Sequence, residues 1–389
     1  MSLPPSFLEE LRNRLPVSEV VGKHVRLVKA GREYKACCPF HHEKSPSFYV
    51  NDDKQFYHCF GCGAHGDVIT FAMRQIGLTF PEAVENLAAQ TGLAVPKSTP
   101  REREIYDRHK SAAQLLERVT KFFQQQLSTP QGQIGRDYFY RRGLTDDAIE
   151  RFRLGFAPQD GQALISALKT EGFSEAAIAE VGLIRKSENS DGYYGFFRNR
   201  VIFPVGDKRG NIVAFGARLL AGEGPKYVNS PDHELFHKGK LLYGLSRARG
   251  AIQQYQPLIV VEGYMDVIAA VEAGYIGAVA PLGTALTEDQ MLALWKLLPR
   301  LEDRTPTHDY TPILCFDGDT AGQRAAERAI DRALPLITPA QTLRIAFMPP
   351  GEDPDSLLQR SGKLALQNVL DQAKPLIDVI WERALLGRR

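Results

Sequence analysis

No apolar run in this 389-residue chain approaches the roughly 18 residues that a membrane-spanning helix needs, and residues 1–14 lack the apolar stretch of a secretory signal. The reading that follows is a cytosolic protein. Cysteine is sparse and odd in number: Cys37, Cys38, Cys59, Cys62 and Cys315. Such a set excludes a disulfide framework and makes metal binding the better role for the clustered ones. No G-x-x-x-x-G-K-[ST] loop occurs, which disfavours a P-loop ATPase. An excess of one charge sign is also missing: 48 Lys and Arg face 46 Asp and Glu, for a net charge of +2 that argues at first sight against a nucleic-acid binder. With 43% hydrophobic and 24% charged residues, the chain is neither disordered nor collagen-like, and its length fits two or three domains.

The neutral total hides an asymmetry. Residues 198–249 hold ten Lys and Arg against four acids, a surplus of six that leaves the rest of the chain at −4. A solvated basic surface would explain the surplus, but a cationic stretch followed by an acidic site also suits a polyanion reacting with the help of metal ions.

Four of the cysteines lie in one short region. Cys38-x2-His41, then seventeen residues, then Cys59-x2-Cys62 form two knuckles separated by a β-hairpin length, the spacing of a tetrahedral structural site for which mixed thiolate and imidazole donors favour zinc. Residues 47–50 and 55–58 read as strands with a turn at 51–53. Cys37 and His42 adjoin two of these donors and offer an alternative pair across a longer loop. Such a closed site stabilises a domain and leaves no open position for catalysis. Cys315, in an apolar run, is expected to pack in a strand.

Residues 67–90 read as two helices around Gly77. Residues 97–110, polar and bracketed by prolines, read as a linker. Apolar spacing predicts a helix over 105–127. Arg141 and Arg142 stand beside aromatics at a helix end closed by Gly143, either as dipole-compatible cations or as phosphate contacts. Strands are expected at 201–205 and 212–215. From residue 257 onward strands (258–261, 278–280, 313–316, 342–347) alternate with helices (265–273, 287–298, 321–334), which predicts a parallel sheet covered on both faces, with ligands at the carboxyl ends of its strands.

Acids recur at those ends. Glu262-Gly263-Tyr264-Met265-Asp266, Asp317-Gly318-Asp319 and Gly351-Glu352-Asp353-Pro354-Asp355 follow three strands. A glycine after a strand-end acid permits a tight turn, so these carboxylates can converge on Mg²⁺ or Mn²⁺, the ions such a set suits. Any one of them could instead be a helix N-cap.

Cys38-Pro39-Phe40-His41 with Cys59-Phe60-Gly61-Cys62 resembles the zinc-binding domain of bacterial replicative DNA primases, the DnaG type. The three acidic strings resemble the Toprim core of the same family, and the strings at 198–204, 226–231 and 236–239 resemble its basic polymerase motifs. The likeness runs the length of the chain in family order. It implies a multidomain α+β and α/β fold: a small zinc-ribbon-like domain (1–96), the linker (97–110), a mixed α/β basic subdomain (111–245), a Toprim parallel α/β core (246–350) and an acidic motif with trailing helices (351–389). It implies a DNA-directed RNA polymerase that makes short primers de novo from ribonucleoside triphosphates on single-stranded DNA by two-metal-ion nucleotidyl transfer. Cys38, His41, Cys59 and Cys62 would hold one structural Zn²⁺. Glu262, Asp317 and Asp319 would hold two or more Mg²⁺ or Mn²⁺ ions, with Asp266, Asp353 and Asp355 completing the acidic surface. Arg142, Arg198, Arg200, Arg218, Lys226, Asn229 and Lys238 would hold template or triphosphate, and Phe48, Tyr49 and Phe56 would offer stacking faces to template bases.

A replicative helicase and a single-stranded-DNA-binding protein are the partners expected of the full-length family member, which would act in the bacterial cytoplasm at the replication fork; this chain is expected to be a monomer in isolation, without the helicase-binding domain. No chemistry is assigned to the polar connection 299–312. Other Toprim enzymes, a topoisomerase or an OLD-type nuclease, are the rivals, together with a zinc-containing DNA-binding protein whose catalytic fold is inactive.

Overall fold

The computed structural model describes residues 5–96, 100–187, 192–252, 254–283, 285–299 and 309–386, and the chain forms two compact units, Met1–Arg108 and His109–Arg389.

The first unit begins with helices α1 (Pro5–Arg14) and α2 (Val17–Gly22) and continues into five short strands, β1 (Val28–Ala30), β2 (Glu33–Ala36), β3 (Phe48–Asn51), β4 (Phe56–Cys59) and β5 (His65–Gly66). These pair antiparallel in sequence order. Period-2 alternation sends Phe48, Val50, Tyr57 and Cys59 fully inward, while Tyr49 and Phe56 point outward. Phe48, expected as a stacking face, is therefore core; outward Phe60, 72% exposed, takes its place on the surface. The two helices around Gly77 are α3 (Val68–Ile76) and α4 (Phe80–Thr91). Asp67 caps α3 by accepting the Thr70 amide and also takes Nε of Arg12 at 2.6 Å, while Gly77 ends the helix at φ 74°.

The helix expected over 105–127 begins earlier, since residues 100–104, read only as linker, are also helical and open α5 (Pro100–Leu127). Pro100 stands at the first helical position, where its missing amide is harmless, and the following Glu, Arg and Lys are good helix formers. Residues 97–99 lie outside the described residues. There follow α6 (Gln133–Arg141), α7 (Asp146–Arg151), β6 (Gly155–Ala157), α8 (Gln162–Thr170), α9 (Glu175–Glu180), β7 (Ile184–Lys186) and β8 (Tyr193–Gly195). Next come β9 (Arg200–Gly206), β10 (Ile212–Leu219) and β11 (Tyr227–Asn229), which with β6 form an antiparallel sheet in the order β11-β10-β9-β6. Both central strands are buried on two faces: Val201, Phe203 and Val213 enter one core, Ile202, Phe215 and Ala217 another.

The remaining elements are β12 (Leu242–Tyr243), α10 (Leu245–Ile252), β13 (Ile259–Val260), α11 (Tyr264–Glu272), β14 (Ala278–Pro281), α12 (Glu288–Leu297), β15 (Ile313–Phe316), α13 (Thr320–Ala333), β16 (Arg344–Phe347), α14 (Pro354–Asp371), β17 (Lys374–Pro375) and α15 (Leu376–Leu386). The sheet runs β12-β14-β13-β15-β16-β17. Its four central strands are parallel, as expected, but both edges are antiparallel. The edge strands are two residues each, too short to carry a recognisable period. Alternate residues of the central strands enter opposite cores: Ile259, Cys315 and Ala346 one, Val260, Leu314 and Ile345 the other. The first of these cores also holds Phe203, Val213 and Leu357, so the antiparallel sheet, the parallel sheet and α14 share one interior. Most of the 299–312 connection lies outside the described residues. Among the described residues, no helix is long and apolar enough to cross a membrane.

Candidate metal centre and active site

In the first unit the hairpin β3–β4 and the turn before it bring four donors together. One ligand atom each from Cys38, His41, Cys59 and Cys62 lies within 4.8 Å of the other three. Sγ of Cys38 and Cys62 are 3.8 Å apart, and Sγ of Cys59 is 3.7 Å from Nδ1 of His41. Donors about 2.3 Å from one ion at the tetrahedral angle stand about 3.8 Å apart, so the donor set fits zinc. Cys37 and His42, the alternative pair, are exposed and outside this group. Gly61 is required by a close approach: a Cβ there would lie 2.7 Å from Nε2 of His41.

Burial pushes the Cys38 thiol up to about 12. At Cys59 burial acts the same way, but hydrogen bonding with the Ser47 side chain and from the Cys62 and Gly61 amides outweighs it and brings the thiol down to about 7. Glu43 organises the centre from behind. Its carboxylate stands 3.2 Å from Nε2 of His41, accepts the Cys38 amide at 2.6 Å and accepts the Ser47 hydroxyl. A carboxylate on the far nitrogen fixes the imidazole tautomer and ring orientation. Nothing in the sequence marked Glu43, because it is two residues from His41 in a region rich in polar side chains. Glu43→Gln is expected to weaken zinc binding about 10- to 100-fold while leaving one zinc per chain at saturation, as read by competition with a metallochromic chelator.

In the second unit the acids gather as the strand ends dictate. Glu262 follows β13 and accepts the Asp317 amide at 3.0 Å. Asp317 follows β15, and the next residue locks its turn onto the loop after β16: the Gly318 amide donates to the Glu352 carbonyl and the Gly351 amide to the Gly318 carbonyl, both at 2.9 Å. A Cβ at residue 318 would meet the Pro349 carbonyl oxygen at 1.9 Å, so only glycine fits. Asp319 and Asp353 are indeed N-caps, of α13 and α14, each using one oxygen. Asp266 and Asp355 sit in the first turns of α11 and α14, almost fully buried.

This crowding shows in the electrostatics. Burial, then the charges of Asp266, Glu262, Asp353 and Asp319, pushes Asp317 up to about 8. Asp266 rises to about 7 through burial and the charges of Asp353 and Asp355, and Glu262 is raised through burial and Asp319. Oδ1 of Asp317 is buried without a hydrogen-bond partner. A buried, unpartnered oxygen among repelling carboxylates is the donor set that a hard divalent cation relieves. The acids are less contracted than the cysteines: among the described residues, only the Cys38 group brings three or more Cys, His, Asp or Glu donors close enough to share an ion.

The basic residues divide. Arg142 pairs with Asp355, and Gln359 bridges the two by donating to the Arg142 carbonyl and to Oδ1 of Asp355. Arg218 lies over the ring of Tyr138, its guanidinium carbon 4.4 Å from the centroid. Arg198 is exposed against Tyr194, and Lys226 is exposed beside Tyr227. Asn229 accepts the hydroxyl of Tyr264, whose ring stacks on Phe203, tying β11 to the start of α11. The Lys238 backbone is held by Asp232 and by buried Gln290. Arg200 departs from expectation: only 7% exposed, it donates to the carbonyls of Pro225 at 2.9 Å and Lys226 at 3.4 Å, so its guanidinium supports the loop that carries Lys226. Cys315 is buried with Sγ 3.5 Å from Sδ of Met348, the packing role expected of it.

The first unit is thus a small zinc-ribbon-type domain with a four-donor metal centre, and the second a Toprim-like parallel sheet with acids at its strand ends beside an antiparallel sheet. Three family models match in order: the CHC2 zinc finger over residues 3–103, the N-terminal domain of the DNA primase catalytic core over 122–249 and the Toprim domain over 256–345. DNA primase of Salmonella typhimurium is 40% identical over 98% of this chain and 64% of its own length, and that of Pseudomonas aeruginosa is 41% identical over 99% and 57%. The crystal structure of the zinc-binding and RNA polymerase domains of Aquifex aeolicus primase matches 100% of this chain and 90% of its own, at 31% identity and a TM-score of 0.62. A DnaG catalytic domain bound to single-stranded DNA matches 72% of this chain and 84% of its own, at 37% identity and a TM-score of 0.64. The chain belongs to the bacterial DNA primase family. It spans 64% or less of the length of these two curated relatives.

Proposed function

We propose that this chain is the zinc-binding and polymerising part of a DNA primase, a DNA-directed RNA polymerase that joins ribonucleoside triphosphates into short primers de novo on single-stranded DNA. The observation that carries the reading is the buried, unpartnered Asp317 carboxylate among Glu262, Asp266 and Asp353, in the same unit as the ring-held Arg218. Mg²⁺ or Mn²⁺ bound there would supply activation of the attacking hydroxyl and neutralisation of departing pyrophosphate, as in two-metal phosphoryl transfer. Glu262, Asp317 and Asp319 are the proposed ligands, and the capping role of Asp319 occupies only one of its oxygens. Arg142, Arg198, Arg218, Lys226, Asn229 and Lys238 hold phosphates of template or nucleotide, and Arg200 supports Lys226 from beneath. Cys38, His41, Cys59 and Cys62 hold one structural zinc, and outward Tyr49, Phe56 and Phe60 offer stacking faces to template bases. The family setting adds a replicative helicase, a single-stranded-DNA-binding protein and a cytoplasmic replication fork.

The test is incubation with single-stranded template and labelled ribonucleotides, with and without chelator. Short RNA made only with divalent metal supports the reading. Cleavage or relaxation of DNA without synthesis would point to another Toprim enzyme, and binding without turnover to an inactive fold. Lys226→Ala is expected to weaken template or nucleotide use severalfold; a contact to template phosphate would show as a salt dependence shallower by about one unit of slope.

A further inference from the structure

We propose that Tyr138 and Tyr227 are positioning residues, which hold Arg218 and Lys226 without a salt bridge, as cations for the triphosphate of an incoming nucleotide. The inference rests on the reading of Arg218 and Lys226 as phosphate contacts. Arg218 and Tyr227 are directly opposed across β10 and β11. The Arg218 guanidinium carbon lies 4.4 Å from the Tyr138 centroid and 5.9 Å from that of Tyr227, and Nζ of Lys226 lies 5.8 Å from the Tyr227 ring. One ring thus bridges two cations.

The manner of holding is what matters. A carboxylate partner would fix Arg218 but offset its charge and take up one side of its fork, as Asp355 does at Nη2 of Arg142, which keeps its remaining N–H groups for phosphate. A ring face attracts the guanidinium through its quadrupole and leaves the donors at the edge of the fork available. Among the described residues Arg218 makes no salt bridge, although its charge acts on Asp355, and its Nε is buried without a hydrogen-bond partner. Two like cations beside one ring repel each other, so the pair is stable only against an anion or a π-face. The position favours triphosphate over template: the Asn229–Tyr264 hydrogen bond ties β11 to the first turn of α11, where Asp266 joins the acidic cluster.

Tyr138 is a core residue at 5% exposure, whereas Tyr227 is 41% exposed, so Tyr227 is the cleaner position to change. Tyr227→Leu is expected to raise the nucleotide KM about tenfold at saturating template, with little change in kcat. Single-stranded DNA affinity, read by fluorescence anisotropy, should stay within about twofold. Tyr227→Phe and Tyr138→Phe, which keep the rings, should behave like the parent. Arg218→Ala should raise KM at least as much as Tyr227→Leu, and the double variant should fall short of the product of the two effects. If Arg218→Ala raises KM but Tyr227→Leu does not, the rings do not position the cation and the proposal fails. If Arg218→Ala leaves KM unchanged, the phosphate-contact reading beneath it fails. Weakened DNA affinity with unchanged KM would assign the cations to template and overturn the triphosphate assignment, and failure of Tyr227→Phe to restore KM would place the effect in the hydroxyl.

Discussion

Asp317→Asn is expected to lower template-directed primer synthesis by about 10³-fold or more while single-stranded DNA binding stays intact, because the change removes a charge aimed at the reacting phosphates and preserves side-chain shape. The same variant should make the metal-free protein more stable. Asp317 is raised from 3.8 to about 8 by burial and by four neighbouring carboxylates, so the folded state holds a proton that the unfolded chain releases. Stability of the parent protein therefore falls as pH rises from about 4 through about 8, and the advantage of asparagine grows over the same window. Thermal unfolding at pH 5 and pH 8, with and without divalent metal, measures this. Equal stability of the two proteins at pH 8 without metal would remove Asp317 from the strained cluster, and retained synthesis would remove it from the active site.

Loss of a zinc ligand should act on the other unit. Cys59→Ser is expected to take zinc content from one per chain to none and to abolish the protected core of the first unit, while the second unit keeps its unfolding transition. Structural zinc in small domains is worth about 10–16 kcal/mol of apparent binding free energy, comparable with or above the whole stability of a typical domain. Cys59 is 0% exposed and lies in the same core as Phe48, Tyr57 and Phe71, so an unmet donor there disturbs packing as well as coordination. Hydrogen exchange resolved by region, with zinc measured in parallel, separates the units. A variant that keeps one zinc per chain would exclude Cys59 from the ligand set.

The sequence was most legible where chemistry is local. Cys-x2-His and Cys-x2-Cys knuckles close within a few residues, and the hairpin between them places one against the other. Strand-end acids followed by glycine announced the turns of the proposed active site, since such a turn depends on residues next to one another. Less legible were features whose partners are distant in sequence. The short antiparallel edges of the parallel sheet carry no period. Residues 100–104 looked like linker alone because polar composition does not separate a helix from a loop. Phe48 could not be told from Tyr49 as a surface aromatic until the strand register set which side faced inward.

By itself, then, the amino-acid order determined the family and pointed to the four clustered Cys and His donors and to the six proposed active-site acids, because each reading rests on residue type at short spacing. Tertiary structure alone decided how the charged groups are used. It paired Arg142 with Asp355, turned Arg200 onto the carbonyls of Pro225 and Lys226, laid Arg218 on aromatic rings and left one oxygen of Asp317 buried and unmet. The reason is physical: the energy of a charge depends on its burial and on its nearest partners, and both are set by segments that meet only when the chain is folded.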